Sequence, residues 1–213
     1  MIIDASHFTG PIALANVSDT APNSELLGNT DAIRDFIDRY EREALVATLG
    51  YSLYNDFQSL FMYDDINKTW TFVLGMDPEW NWLLYGRQYT INGKERSWRG
   101  LTYTPLDDGS ATVYESPLAY YVYCKFIYSD YLSHTGTGFQ KENAVNATGA
   151  GYARQYAYAW NKWVEMVEFM PYEAQDLQQV SLYDFMRDTQ QLEANTFTDW
   201  NYKRFYLRNR FGL

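Results

Sequence analysis

The sequence predicts a mainly α-helical fold: a small bundle of about four to five helices with an inserted β-hairpin and extended N- and C-terminal arms. Three observations carry this prediction. Apolar residues recur at helical spacing in separate stretches, several of them bracketed by capping residues. Two alternating stretches flank Asn92-Gly93, a pair suited to a two-residue hairpin turn because both turn positions need positive φ. Both ends of the chain lack any sustained period.

Taken in order, residues 1–29 contain Gly10, Pro11, Pro22 and Gly28 among Asn and Ser, and are expected to form an arm that stays ordered only if something docks it. From Asp31 to Leu49, Ile33, Ile37, Tyr40, Ala44, Leu45 and Leu49 share a helical face, with Thr30 or Asp31 as N-cap and Gly50 as the left-handed residue ending the helix. A shorter helix over about 52–62 aligns Leu53, Phe57, Leu60 and Phe61, and residues 63–80 look irregular. The hairpin, residues 84–101, follows. Its turn sets Ile91 opposite Lys94, Tyr89 opposite Arg96 and Arg87 opposite Trp98. Tyr85, Arg87, Tyr89, Lys94, Arg96 and Trp98 thereby share one face, which either offers exposed cross-strand cation–π pairs or folds flat on the chain's own core.

After a loop around Asp107-Asp108-Gly109, Ser116 caps a helix with Pro117 at its first position, where the missing N–H costs nothing. That helix, expected to about Ser133, carries Tyr at 120, 121, 123, 128 and 131 beside Leu118, Val122 and Phe126, so its aromatics require neighbours on more than one side. Residues 134–151 form a Gly-rich loop. A helix over 152–169 aligns Tyr156, Trp160, Val164 and Val167 and ends before Pro171, and a weaker one starts at Ser181 with Asp184 as capping-box partner. The domain plan is thus an arm (1–29), a helical domain (30–172) and a C-terminal helix with a tail (173–213).

That tail, Thr196–Leu213, interleaves Trp200, Tyr202, Phe205, Tyr206 and Phe211 with Lys203, Arg204, Arg208 and Arg210, and no period sorts the aromatics onto a face. Such a composition suits a segment that grips a partner. The tail and the hairpin each carry +3, so a chain of net −10 leaves −16 for everything else. An acidic surface of that kind argues against wrapping nucleic acid, which needs dense Lys and Arg. Aromatic residues make up 18% of the chain, with 20 Tyr and 7 Trp, which fits either a thick aromatic core or interface use, since Tyr and Trp combine an apolar face with a polar tip and favour interfaces. The opening residues lack a basic region before an apolar run, so no signal peptide is expected, and no apolar stretch is long enough to span a bilayer.

Chemistry-bearing motifs are scarce. Two histidines, His7 and His134, and one cysteine, Cys124, are too few and too scattered for a zinc site. Neither Gly136-Thr137-Gly138 nor Gly149-Ala150-Gly151 continues into the Lys-Ser/Thr of a phosphate loop. Asp64, Asp65 and Asn67 lack the glycine of a calcium loop. The acid pairs Glu41 and Glu43, and Glu165 and Glu168, lie on predicted helices, where carboxylates usually face water. No catalytic residue, cofactor or metal is expected, and no enzyme.

The run Phe36-Ile37-Asp38-Arg39-Tyr40-Glu41-Arg42-Glu43-Ala44-Leu45, followed by Leu49-Gly50-Tyr51-Ser52-Leu53-Tyr54, resembles the helix–turn–helix opening of head–tail connector proteins of Bacteroides phages and prophages. Trp98-Arg99-Gly100-Leu101, Ser116-Pro117-Leu118-Ala119-Tyr120-Tyr121-Val122-Tyr123 and Ala159-Trp160-Asn161-Lys162-Trp163 match further landmarks in the same order, and the ring proteins of crAss-like phages are similar. The resemblance implies a structural virion protein forming a ring, commonly of twelve copies, in the neck or tail. Such a ring joins the portal or other ring and tail proteins and lines a DNA passage without sequence-specific binding. It is assembled in the host cytoplasm and has no membrane association. On this reading Arg87, Tyr89, Arg96 and Trp98 of the hairpin, and Trp200, Tyr202, Arg204, Phe205, Tyr206, Arg208, Arg210 and Phe211 of the tail, are the partner-binding residues. The competing reading is a carbohydrate-binding or other phage accessory module, in which Trp and Tyr platforms stack on sugars and the fold is all-β.

Overall fold

The first predicted helix forms and is longer than its pattern: α1 runs Leu27–Leu49, so Thr30 and Asp31 lie inside it rather than capping it. The computed structural model describes residues 2–14, 27–64, 69–72, 78–102, 115–131, 134–135, 138–139, 152–169, 178–200 and 202. The stripe that α1 buries is Ile33, Ile37, Glu41, Ala44, Leu45, Thr48 and Leu49. Tyr40, expected on that stripe, is only half-buried, and a carboxylate takes the place beside it. Gly50, at φ 81°, turns the chain directly into α2 (Tyr51–Ser59), which buries Leu53, Tyr54 and Phe57. This second helix ends earlier than expected, because Phe61 and Met62 belong to β1 (Phe61–Asp64), which pairs antiparallel with β2 (Thr69–Phe72).

Two further departures follow. Residues 78–85, read as an irregular segment running into a strand, form α3 (Pro78–Tyr85), with Pro78 at the first helical position and Glu79 in the first turn. The hairpin strands are correspondingly shorter, β3 (Arg87–Ile91) and β4 (Lys94–Trp98), but the register is as predicted: Arg87 opposite Trp98, Tyr89 opposite Arg96, Ile91 opposite Lys94. Asn92 and Gly93 take positive φ, 52° and 75°.

Ser116 caps α4 (Pro117–Tyr131) by accepting from the Ala119 N–H while its hydroxyl donates to the Leu101 carbonyl, tying the helix to the segment after the hairpin. Leu118 to Cys124 are buried without a break, because α4 lies between α1 and α5 (Tyr152–Glu168). The sequence placed neighbours on several sides of this helix, and they are there. Within the stretch read as a Gly-rich loop, β5 (His134–Thr135) and β6 (Gly138–Phe139) pair antiparallel. A two-residue strand, β7 (Gln178–Gln179), adds parallel to β4, giving the sheet order β3-β4-β7. Then α6 (Leu182–Leu192) starts at Ser181, whose Oγ accepts from the Asp184 N–H and donates to the Asp184 carboxylate. Pro171 lies outside the described residues. The fold is therefore mainly helical, with an inserted hairpin, and among the described residues its buried cluster draws on all six α-helices as well as on Ile3, Phe8 and Ile12 before them and Phe197 and Trp200 after them. No described helix is long and apolar enough to cross a membrane.

Candidate functional site

The hairpin is held at its mouth by backbone. The last carbonyls of α3 have no partner within the helix; those of Leu83 and Leu84 accept instead from the Leu101 and Thr102 N–H groups, both at 3.0 Å, and the Trp98 indole donates to Leu83 at 3.2 Å. So close an approach admits no side chain. A Cβ at Gly86 would lie 2.5 Å from the Trp98 carbonyl oxygen, and one at Gly100 would lie 2.4 Å from that of Leu84. Gly100 of the Trp98-Arg99-Gly100-Leu101 landmark thus has a backbone reason.

The aromatic-cationic face of this hairpin does not stand open. It is covered by α6 of the same chain: of the two readings, the one that packs the face on the chain's own core holds at Tyr89, Arg96 and Trp98, and the exposed gripping surface expected of these residues is corrected. Trp98 stacks on Phe185 with centroids 5.6 Å apart, and Tyr89 meets the same ring edge-on. Asp188, 2% exposed, accepts from the Tyr89 hydroxyl at 2.9 Å and forms an ion pair with Arg96. Burial pushes the Tyr89 hydroxyl far above the usual phenol range, and the neighbouring Asp188 carboxylate adds to the shift. Arg87 lies 3.6 Å from the centre of the Trp82 ring and pairs with Glu193 at 2.7 Å, instead of forming a cross-strand cation–π contact at Trp98. The physical reason is burial: the Tyr89 and Trp98 rings on one face of the hairpin lose less by meeting Phe185 of an amphipathic helix of the same chain than by staying in water. Tyr85, 58% exposed, stays outward.

The tail expectation divides at Tyr202. Asn195 and Phe197 adopt positive φ, 77° and 49°, in the turn that leaves α6, and Phe197 packs edge-on against Trp80. Trp200 is buried; its indole N–H donates to the Thr48 carbonyl at 3.0 Å, and Asp199 accepts from the Ser52 hydroxyl at 3.2 Å. Tyr202 stacks near Trp200 and donates its hydroxyl to Glu168 at 2.6 Å. Trp200 and Tyr202 therefore anchor the tail to its own chain, a correction to their expected partner role. Arg204, Phe205, Tyr206, Arg208, Arg210 and Phe211 lie outside the described residues.

The N-terminal arm is docked in the same manner. Asp4 caps a 3-10 turn at Ala5–His7 and a second turn spans Gly10–Ile12, while Ile3, Phe8 and Ile12 enter the core. One carboxylate oxygen of Glu41 accepts both the Ile2 and Ile3 N–H groups, at 2.8 and 3.0 Å. Burial pushes this carboxyl above its ordinary value, and the two N–H groups pull the other way. Glu41 and Glu168, read from sequence as solvated helix acids, are thus buried, each at the root of one chain end. Spacing gave a signal for Glu41, which stands at i+4 from Ile37 and i−4 from Leu45, but a charged residue on an apolar stripe is easily assigned to the flank. Beside Glu41 lies a cavity of about 180 Å³ lined by Ile2, Leu45, Tyr54, Phe57 and Phe61 among others.

His7 sits in the first 3-10 turn against Asp4, and His134 in β5. Among the described residues no His, Cys, Asp or Glu side chains converge as a metal site would require. Comparison with protein-family models, with curated proteins and with solved structures found no match.

Proposed function

We propose that this chain is a structural, non-catalytic subunit of a ring in the neck or tail of a tailed-phage particle, joining the portal or neighbouring rings around the DNA path. One observation carries the reading: the stretches that resemble phage head–tail connectors are, in the same order, the junctions of this bundle. Residues 36–54 make the α1–α2 turn, residues 98–101 close the hairpin on α3, Ser116 ties α4 to Leu101, and Trp163 packs on Tyr121 where α5 meets α4. A resemblance confined to scattered surface residues would mean less, because surfaces drift while junction geometry is held by backbone contact.

The net charge of −10 suits a body past which DNA slides without sticking, since like charges repel. Exposed aromatics remain for contacts between copies, Tyr51 at 67% and Tyr128 at 60% among them. The sugar-binding alternative is less well supported. It calls for an all-β fold with open Trp platforms, whereas this fold is mainly helical and Trp80, Trp82, Trp98, Trp160, Trp163 and Trp200 are all buried or half-buried. Native mass spectrometry of the full chain, with negative-stain images, tests the proposal: closed rings of one copy number are expected. A strict monomer at every concentration, together with absence from purified particles, refutes it.

A further inference from the structure

We propose that the N-terminal arm, residues 2–14, is exchanged between copies: in the assembly it docks on the α1 groove of a neighbouring copy, where Glu41 captures the Ile2 and Ile3 N–H groups. This rests on the ring reading above.

Four observations lead to it. First, the side chains expected to link copies, Tyr89, Arg96, Trp98 and Trp200, are engaged within their own subunit. Second, the arm is a self-contained plug. Its three apolar anchors (Ile3, Phe8 and Ile12) and its polar latch all lie within thirteen consecutive residues, 2–14, and the groove that receives them belongs to the helical body. Any copy of the groove receives any copy of the plug with identical contacts, which is why exchange of an identical element is a low-cost route to association.

Third, the arm completes the groove. With the arm docked Glu41 is 7% exposed and accepts the Ile2 and Ile3 N–H groups, so the residues that cover this carboxylate also supply its donors. In a closed ring every copy supplies one arm and receives one. Fourth, residues 15–26 separate the arm from α1, and thirteen Cα steps from Leu14 to Leu27 span at most about 45 Å. The whole of α1, at 23 residues, is only about 35 Å long, so the connection has a contour length greater than that helix, as arm exchange requires. For an isolated chain the intramolecular site has the higher effective concentration and the arm folds back, as described above; packing copies side by side removes that advantage.

Isotope-mixed photo-crosslinking of the full-length chain tests this. Light and heavy chains are mixed before assembly, each carrying the photoreactive p-benzoylphenylalanine in place of half-buried Leu14, with a second version labelled at exposed Ser6 in case the first perturbs docking. Native mass spectrometry of the same samples reports assembly independently. Rings whose arm-to-body cross-links join light to heavy chains in about half of the products are expected. Rings whose cross-links join only chains of one isotope overturn arm exchange and leave the ring reading intact. Failure of the unlabelled chain to assemble overturns both.

Discussion

A carboxylate on the buried stripe of a helix is destabilising unless donors meet it, and the donors that meet Glu41 and Glu168 come from opposite ends of the chain: two backbone N–H groups from the arm, one hydroxyl from Tyr202. Replacing Glu41 with alanine leaves both N–H groups short of an acceptor at a cost of about 2–4 kcal/mol, while glutamine keeps an acceptor and should lose roughly half as much. Denaturant titration orders the three proteins, and faster proteolytic nicking of the arm in Glu41→Ala localises the effect; equal nicking rates would mean the apolar anchors alone hold the arm. A second carboxylate of α1, Glu43, lies two residues on and points to another side of the helix, and its pKa moves the other way. Burial tends to raise the Glu43 carboxyl, but hydrogen bonds from the Tyr121 hydroxyl at 2.6 Å and Lys125 at 2.9 Å prevail, so it lies below its ordinary value. A depressed carboxyl stabilises the fold above its unfolded pKa and loses that contribution as pH falls through the folded value. The pair is half-exposed, so its worth is at most about 1 kcal/mol. The melting temperature of Glu43→Gln should therefore lie slightly below that of the parent near roughly pH 6 and converge on it toward roughly pH 3; a gap that widens on acidification contradicts the assignment.

At the scale of elements, periodicity and caps made α1, α4, α5 and α6 readable from sequence, and Asn92-Gly93 placed the hairpin register residue for residue. Several elements were not readable, for different reasons. The alternation that runs from Leu84 through Ile91 masks the helix–strand break at Gly86, which exists because α3 needs its last carbonyls met by residues 101 and 102. The strands β1 and β2 are four residues each, too short to show a period. The pairing of β7 depends on where Ser97 lies in space, since its neighbour Val180 donates to the Ser97 carbonyl. The contact that organises these pieces is α6 on the hairpin, centred on Asp188. Asp188→Ala strands Arg96 and the Tyr89 hydroxyl in a buried setting and should cost about 3–5 kcal/mol, a fall of roughly 10 °C or more in melting temperature for a chain of this size. A change within about 2 °C would mean that the Trp98–Phe185 stack holds α6 unaided.

For the molecule as a whole, the chain ends are structural at their roots. Removing residues 203–213 leaves every contact described above in place, and that truncated chain should match the full chain in helix content and cooperativity of unfolding. Cutting at 196 removes Phe197, Trp200 and Tyr202 as well; loss of one buried Trp alone costs about 3–5 kcal/mol, so this shorter chain should be strongly destabilised or fail to fold. Circular dichroism and thermal melts of the two truncations separate the outcomes, and equal stability would show that the Trp200 anchor is dispensable. If the ring reading holds, the chain lacking only residues 203–213 also separates folding from assembly, since it retains the body while lacking Lys203, Arg204, Arg208 and Arg210.

By itself the sequence determined the helical class, most helix boundaries to within a few residues, and the hairpin turn and its register, because each of these follows from nearest-neighbour constraints: spacing of apolar residues, a cap hydroxyl, a pair of residues tolerant of positive φ. Only the tertiary structure decided what the hairpin face and the chain ends touch. Alternation places Tyr89, Arg96 and Trp98 on one side of two strands, yet whether that side meets water, another copy or its own α6 depends on contacts about ninety residues away in the chain. The same holds for Glu41 and Glu168, whose burial is set by residues 38 and 34 positions distant that no local pattern announces.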